Sequence, residues 1–125
     1  MTEGSEIEAD STSEVGRIGE NAALDVYRNR GYRVVARNWR CPLGELDLVL
    51  LRGEMLVICE VKTRRGSTFG GGYEAVTARK RAKVRALAEA FLRARPEHPE
   101  TVRFDVASVA LRAGLVEVEL FEDAF

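Results

Sequence analysis

The chain has little of what staples or anchors a small protein. Its 125 residues include only two cysteines, Cys41 and Cys59, with no CxxC pair, which excludes a disulfide framework and a thiolate metal clip. The one histidine, His98, lies between Pro96 and Pro99, so no histidine cluster can bind a metal. The longest unbroken apolar run, Met55 to Cys59, is five residues, far short of a membrane-spanning helix. The first residues lack a basic segment followed by an apolar one, so no secretory signal is expected and the predicted location is cytoplasmic. No glycine-rich stretch ends in Gly-Lys-Ser/Thr, which disfavours a nucleotide-phosphate loop.

Bases are missing from both ends. Residues 1–14 hold five acids and residues 117–125 four more, with no base in either stretch. All 19 basic residues therefore lie between positions 15 and 116 against eleven acids, a body of charge +8 beneath a formal total of −1. Such a body suits a polyanion, because neutralising phosphates releases counterions.

Val15, Ile18, Ala22, Ala23, Val26 and Tyr27 recur at three- and four-residue steps and predict a helix over 14–30, with Ser11-x-x-Glu14 at its start and Gly31 at its C-cap. Residues 1–13, acidic and poor in large apolar groups, are expected to form a flexible tail outside a single domain over 14–125. Runs at 32–38, 44–51 and 55–64 read as strands, the last two a hairpin turning at Arg52-Gly53. Four glycines in 66–73 predict a loop. Thr77 then caps a helix whose Val84, Leu87, Ala88, Phe91 and Leu92 share one face and which Pro96 stops. Runs at 102–111 and 115–121 form a second hairpin. This order, α-β-β-β-α-β-β, predicts an α/β fold with a mixed sheet of about five strands, the doubly apolar runs Leu48–Leu51 and Met55–Cys59 at its centre.

Both central strands break their apolar pattern with charge, one as Gly44-Glu45-Leu46-Asp47 and the other as Cys59-Glu60-Val61-Lys62. With strict alternation, Glu45 and Asp47 share a face, as do Glu60 and Lys62. An even loop at Arg52-Gly53 would oppose Leu51 to Glu54, Asp47 to Ile58 and Glu45 to Glu60, putting all four charges on one face; an odd loop would turn Asp47 to the other. A lone Glu-x-Lys triplet is usually a salt-bridging surface strand. An acid pair on the neighbouring strand changes the reading, because carboxylates buried together repel unless a cation intervenes. Oxygen ligands without His or Cys favour Mg²⁺, with Mn²⁺ as substitute, held by Asp47 and Glu60. Lys62 would orient or help deprotonate a hydrolytic water and offset transition-state charge.

These residues stand in a wider pattern. Gly16-x-x-Gly19-Glu20-x-x-Ala23, Gly31-Tyr32, Arg37-Asn38, Gly44-Glu45-Leu46-Asp47-Leu48, Glu60-Val61-Lys62-Thr63-Arg64, Phe69-Gly70 and Arg103-Phe104-Asp105-Val106 together resemble the YraN family of small bacterial proteins. The resemblance covers roughly residues 15–121. It implies a restriction-endonuclease-like fold, similar to archaeal Holliday-junction resolvases, with a D…ExK motif of the PD-(D/E)XK kind. On that pattern Asp47, Glu60 and Lys62 are the motif residues and Glu20 an additional acidic ligand; on helix geometry alone Glu20 is a solvated acid favoured by the helix dipole. Glu45 is a further ligand, a supporting group or a partner for Lys62.

Around this motif, Arg64 and Arg65, with the glycine loop after them, and Lys80 and Lys83 on the second helix are expected to position a nucleic-acid backbone. Asp105 is expected to cap or to pair with an arginine. The reading is a Mg²⁺-dependent endonuclease cutting DNA, branched or damaged DNA among its substrates, and away from membranes. A homodimer would supply paired cleavage. The alternative is a nucleic-acid-binding module that keeps the fold without catalysis.

Overall fold

The computed structural model describes residues 3–66, 77–96 and 98–125. Most of the expected glycine loop lies outside them. The elements follow the expected order: α1 (Glu3–Asn29), β1 (Arg33–Cys41), β2 (Gly44–Arg52), β3 (Met55–Arg65), α2 (Ala78–Ala94), β4 (Thr101–Arg112) and β5 (Leu115–Phe121). Position 11 falls inside α1, so the Ser-x-x-Glu stretch does not mark that helix's start. Thr77 does cap α2, its hydroxyl accepting from Lys80 N at 3.2 Å. The helix ends at Ala94 because Arg95, preceding Pro96, is held extended.

The five strands form one sheet in the order β1-β2-β3-β4-β5, antiparallel except for the parallel β3–β4 pair that α2 connects. One helix covers each face. Ala23, Leu24 and Tyr27 of α1 pack on Leu48, Leu50, Val57, Cys59 and Ala107, while Val84, Leu87, Ala88 and Phe91 of α2 pack on Leu46, Val49, Leu56 and Ile58. The apolar runs of β2 and β3 are thus central and buried on both sides, as their lack of alternation predicts. Each fully buried Leu or Ile there stabilises the fold by about 1.5–3 kcal/mol relative to exposure. Among the described residues no helix is long and apolar enough to cross a membrane.

The hairpin register differs from expectation by two residues. Arg52 pairs with Met55 and Leu48 with Cys59, so the two-residue loop is Gly53-Glu54, opened by Gly53 at φ +60°. Only glycine enters that region without strain. The β4–β5 loop is likewise two residues, Ala113-Gly114, both at positive φ, as twisted hairpins prefer.

A second difference matters more. Leu46 belongs to the α2 core and Leu48 to the α1 core, although residues two apart in a regular strand share a face. The neighbouring strand switches at the same level: Arg37 bonds to Asn21 of α1, whereas Trp39 packs edge-on against Phe91 of α2. Between them Asn38 adopts φ +50°, a conformation that asparagine tolerates better than most residues. Strict alternation therefore fails around Asp47, and the four charges do not lie on one face.

Candidate carboxylate site

The β2–β3 ladder runs from Arg52↔Met55 to Leu48↔Cys59 and stops just before Asp47 and Glu60. There the Asp47 side chain takes the place of the ladder, its Oδ2 accepting from Val61 N at 2.9 Å. Asp47 thus lies in the seam between the strands. Glu60, 3% exposed, extends to the α2 face, where Lys80 Nζ stands 3.2 Å from its Oε1. Its Oε2 is buried and has no hydrogen-bond partner among the described residues. On the opposite face, Glu20 and Glu45 line a cleft of about 380 Å³ with Gly16, Arg17, Asn38 and Arg40.

Carboxylates from both faces therefore act on Asp47. Burial pushes its carboxyl up to about 7, the negative charge of Glu60 adds to this, and Glu20 and Glu45 add less. The Val61 N–H pulls the other way but does not prevail.

Glu20 owes its place to its neighbour. A Cβ at Gly19 would overlap Thr63 Oγ1 and stand 2.9 Å from Thr63 Cβ and 3.0 Å from Cγ2, so only glycine lets α1 approach β3 this closely. Asn38 Nδ2 then donates to Glu20 Oε1 at 3.1 Å, and Arg37 Nη2 lies 3.6 Å from the same oxygen. The left-handed residue within β1 thus also brings the amide that holds Glu20. The pattern Gly19-Glu20 and Arg37-Asn38 was visible in the sequence, but nothing local indicated that the two pairs meet.

The other expected residues separate into groups. Lys62 is half-buried on the same strand face as Glu60 and makes no ion pair among the described residues. Glu45 pairs with Arg40 at 3.4 Å rather than with Lys62. Lys80 is directed at Glu60, while Lys83 lies over the start of β2, its Nζ 3.5 Å from where a Gly44 Cβ would be. Arg64 and Arg65 are exposed at the end of β3. Arg65 borders a separate cleft of about 370 Å³ with Ile18 and the β4–β5 hairpin. Asp105 belongs to the framework: fully buried, it accepts from Tyr27 Oη at 2.7 Å, from Arg103 Nε and Nη2 at 2.9 Å each, and from Asp123 N at 3.0 Å.

Among the described residues no group of three or more His, Cys, Asp or Glu side chains is placed to hold an ion. The donor set still fits a hard cation. Asp47 and Glu60 are crowded, desolvated oxygen ligands, one oxygen is unpartnered, and Mg²⁺ usually takes only one or two carboxylates and keeps water.

Fold and site together define an α/β protein in which a mixed sheet between two helices opens, at one end, onto a seam of carboxylates and lysines. The chain belongs to the uncharacterised protein family UPF0102, the YraN family, whose model matches residues 19–109 and so spans Glu20, Asp47, Glu60 and Lys62. A UPF0102 protein of Parafrankia sp. (strain EAN1pec) is 46% identical over 112 residues, covering 89% of this chain and 95% of that one. The UPF0102 protein of Frankia alni is 48% identical over 112 residues, covering 89% and 93%. That of Moorella thermoacetica is 44% identical over 112 residues, covering 88% and 93%.

Proposed function

We propose that this protein is a metal-dependent nuclease of the restriction-endonuclease-like type, hydrolysing phosphodiester bonds in DNA, with branched or damaged DNA as its substrate class. The observation that supports it best is the buried Glu60 Oε2, without a hydrogen-bond partner among the described residues and close to Asp47, whose carboxyl is held up at about 7. Carboxylates crowded away from water repel one another, the single Lys80 ammonium meets only one of them, and a divalent cation is the charge that suits the pair. Asp47 and Glu60 would hold Mg²⁺, or Mn²⁺ in its place, with Glu20 supporting them from α1. When bound, the ion supplies Lewis-acid stabilisation of phosphate charge and lowers the pKa of a water.

The chain's own residues do the rest. Lys62, two positions beyond Glu60 on the same strand face, orients the attacking water and offsets charge developing on the phosphate. Arg64, Arg65 and Lys83 position the backbone without reading bases, so selectivity is for shape. A homodimer would place two such sites on the two strands of a junction.

The test is Lys62→Ala with Mg²⁺ or Mn²⁺ on single-stranded, duplex and branched DNA. Cutting should fall by about 10²-fold or more, as when a transition-state donor is removed, while retention in a mobility-shift assay stays nearly unchanged. The absence, among the described residues, of a group of three metal-ligating side chains favours a second reading, a nucleic-acid-binding module without catalysis. In that case the wild type retains DNA and cuts none of the three forms.

A further inference from the structure

Two lysines lie near the seam, and the one that engages Glu60 is not the one on its own strand. Lys80 reaches down from the first turn of α2, its side chain 35% exposed and that of Glu60 4% exposed. The start of a helix is an unfavourable place for a cation, because unsatisfied N–H groups and the helix dipole make it positive. No acid stands in the first turn of α2 to compensate, and Arg79, Lys80 and Arg81 follow one another there. What holds Lys80 inward is Glu60 on the neighbouring strand. Its main chain is fixed by the Thr77 cap at 3.2 Å, while its four-carbon stem stays free to swing.

We propose that Lys80 is the resident counter-ion of the carboxylate seam, and that a divalent cation takes Glu60 only in exchange for it. The exchange sets the metal affinity of the protein. This rests on the metal-site reading given above. An ion approaching the unpartnered Oε2 meets an ammonium already on the other oxygen of the same carboxylate. Two cations that close repel even in a partly exposed site, so one of them must leave. The half-exposed lysine is the mobile one. A divalent cation on Glu60 brings two positive charges where the displaced ammonium brought one. The exchange therefore makes the seam more positive, as receiving a phosphate requires, with the displaced ammonium still tethered beside it. Lys80 is in this sense a positioning residue, distinct from Lys62, which makes no ion pair among the described residues and competes with nothing for Glu60.

The experiment is calorimetric titration of Mn²⁺ into metal-stripped wild type, Lys80→Met, Lys80→Gln and Lys80→Arg. Removing the competing charge should tighten Mn²⁺ binding about tenfold in both neutral variants, the effect of one close like charge in a partly exposed site, while Lys80→Arg stays near the wild type. Lys80→Gln still donates to Glu60, so it guards against a folding defect in Lys80→Met. If the neutral variants bind Mn²⁺ no more tightly than the wild type, the exchange is refuted and the metal site stands. If no form binds Mn²⁺, the metal-site reading fails and the exchange fails with it.

Discussion

Replacing Asp47 by asparagine should stabilise the metal-free protein, and by an amount that grows with pH. Folding moves this carboxyl from an ordinary value near 3.8 up to about 7, chiefly by burial and then by the charge of Glu60. A raised carboxyl pKa means that the folded state binds the proton more tightly than the unfolded state. The folded protein therefore suffers no loss below pH 4, loses stability as pH rises from there to about 7, and bears the whole cost above 7. At about 1.4 kcal/mol per unit, a shift of this size sets a ceiling of about 4 kcal/mol. Part of the cost belongs to Glu60, whose repulsion is mutual, so about 2–4 kcal/mol is expected at pH 8. Asparagine has no proton to lose, and its Oδ1 can still accept from Val61 N, so the substitution removes the charge and keeps the bond. Urea unfolding of both proteins in chelator at pH 4, 6 and 8 measures the difference. It should be near zero at pH 4 and largest at pH 8. A difference that does not change with pH, or an Asp47→Asn protein that is weaker at pH 8, would refute the account of a carboxylate held at a cost. Mg²⁺ should recover stability in the wild type at pH 8 and not in the variant.

Two further predictions concern the frame that positions the seam. Gly19→Ala gains about 1 kcal/mol of helix propensity but drives a methyl into Thr63, and the clash should win, for a net loss of about 1–2 kcal/mol in urea unfolding. Adding Thr63→Ala should recover that loss, and a stabilising Gly19→Ala on its own would contradict the close approach of α1 to β3. Asp105→Ala leaves Tyr27 Oη and the Arg103 guanidinium without their buried acceptor and should cost about 3–5 kcal/mol. A thermal-denaturation loss equivalent to less than 1 kcal/mol would mean that the cluster is not part of the framework.

Element order was legible in the sequence because each segment buries a characteristic stripe. The four-residue step of Ala23 and Tyr27 and the three- and four-residue steps of Val84, Leu87 and Phe91 are helix faces, and the doubly apolar β2 and β3 runs are a sheet centre. The hairpin register was not legible, since Arg52-Gly53 and Gly53-Glu54 are equally good two-residue loops by composition; the choice lies in Gly53's positive φ. That error was harmless. Sliding a two-residue loop by one position moves the pairing by two residues, which preserves which side chains share a face, and Asp47 and Glu60 still come together. The break in alternation was also illegible, because nothing in Arg37-Asn38-Trp39 shows that Asn38 turns left-handed, and it is this break that builds the site. In an unbroken ladder Val61 N–H would bond to the β2 backbone and Asp47 would turn to one face, beyond the influence of groups on the other. The switch at Asn38 and between Leu46 and Leu48 instead leaves Asp47 in the seam, where Glu20 and Glu45 act on it from the α1 side and Glu60 from the α2 side. The local departure from strand regularity is therefore what lets three acids, from both faces of one sheet, bear on a single carboxylate, as expected where a fold gives up local consistency for a functional arrangement.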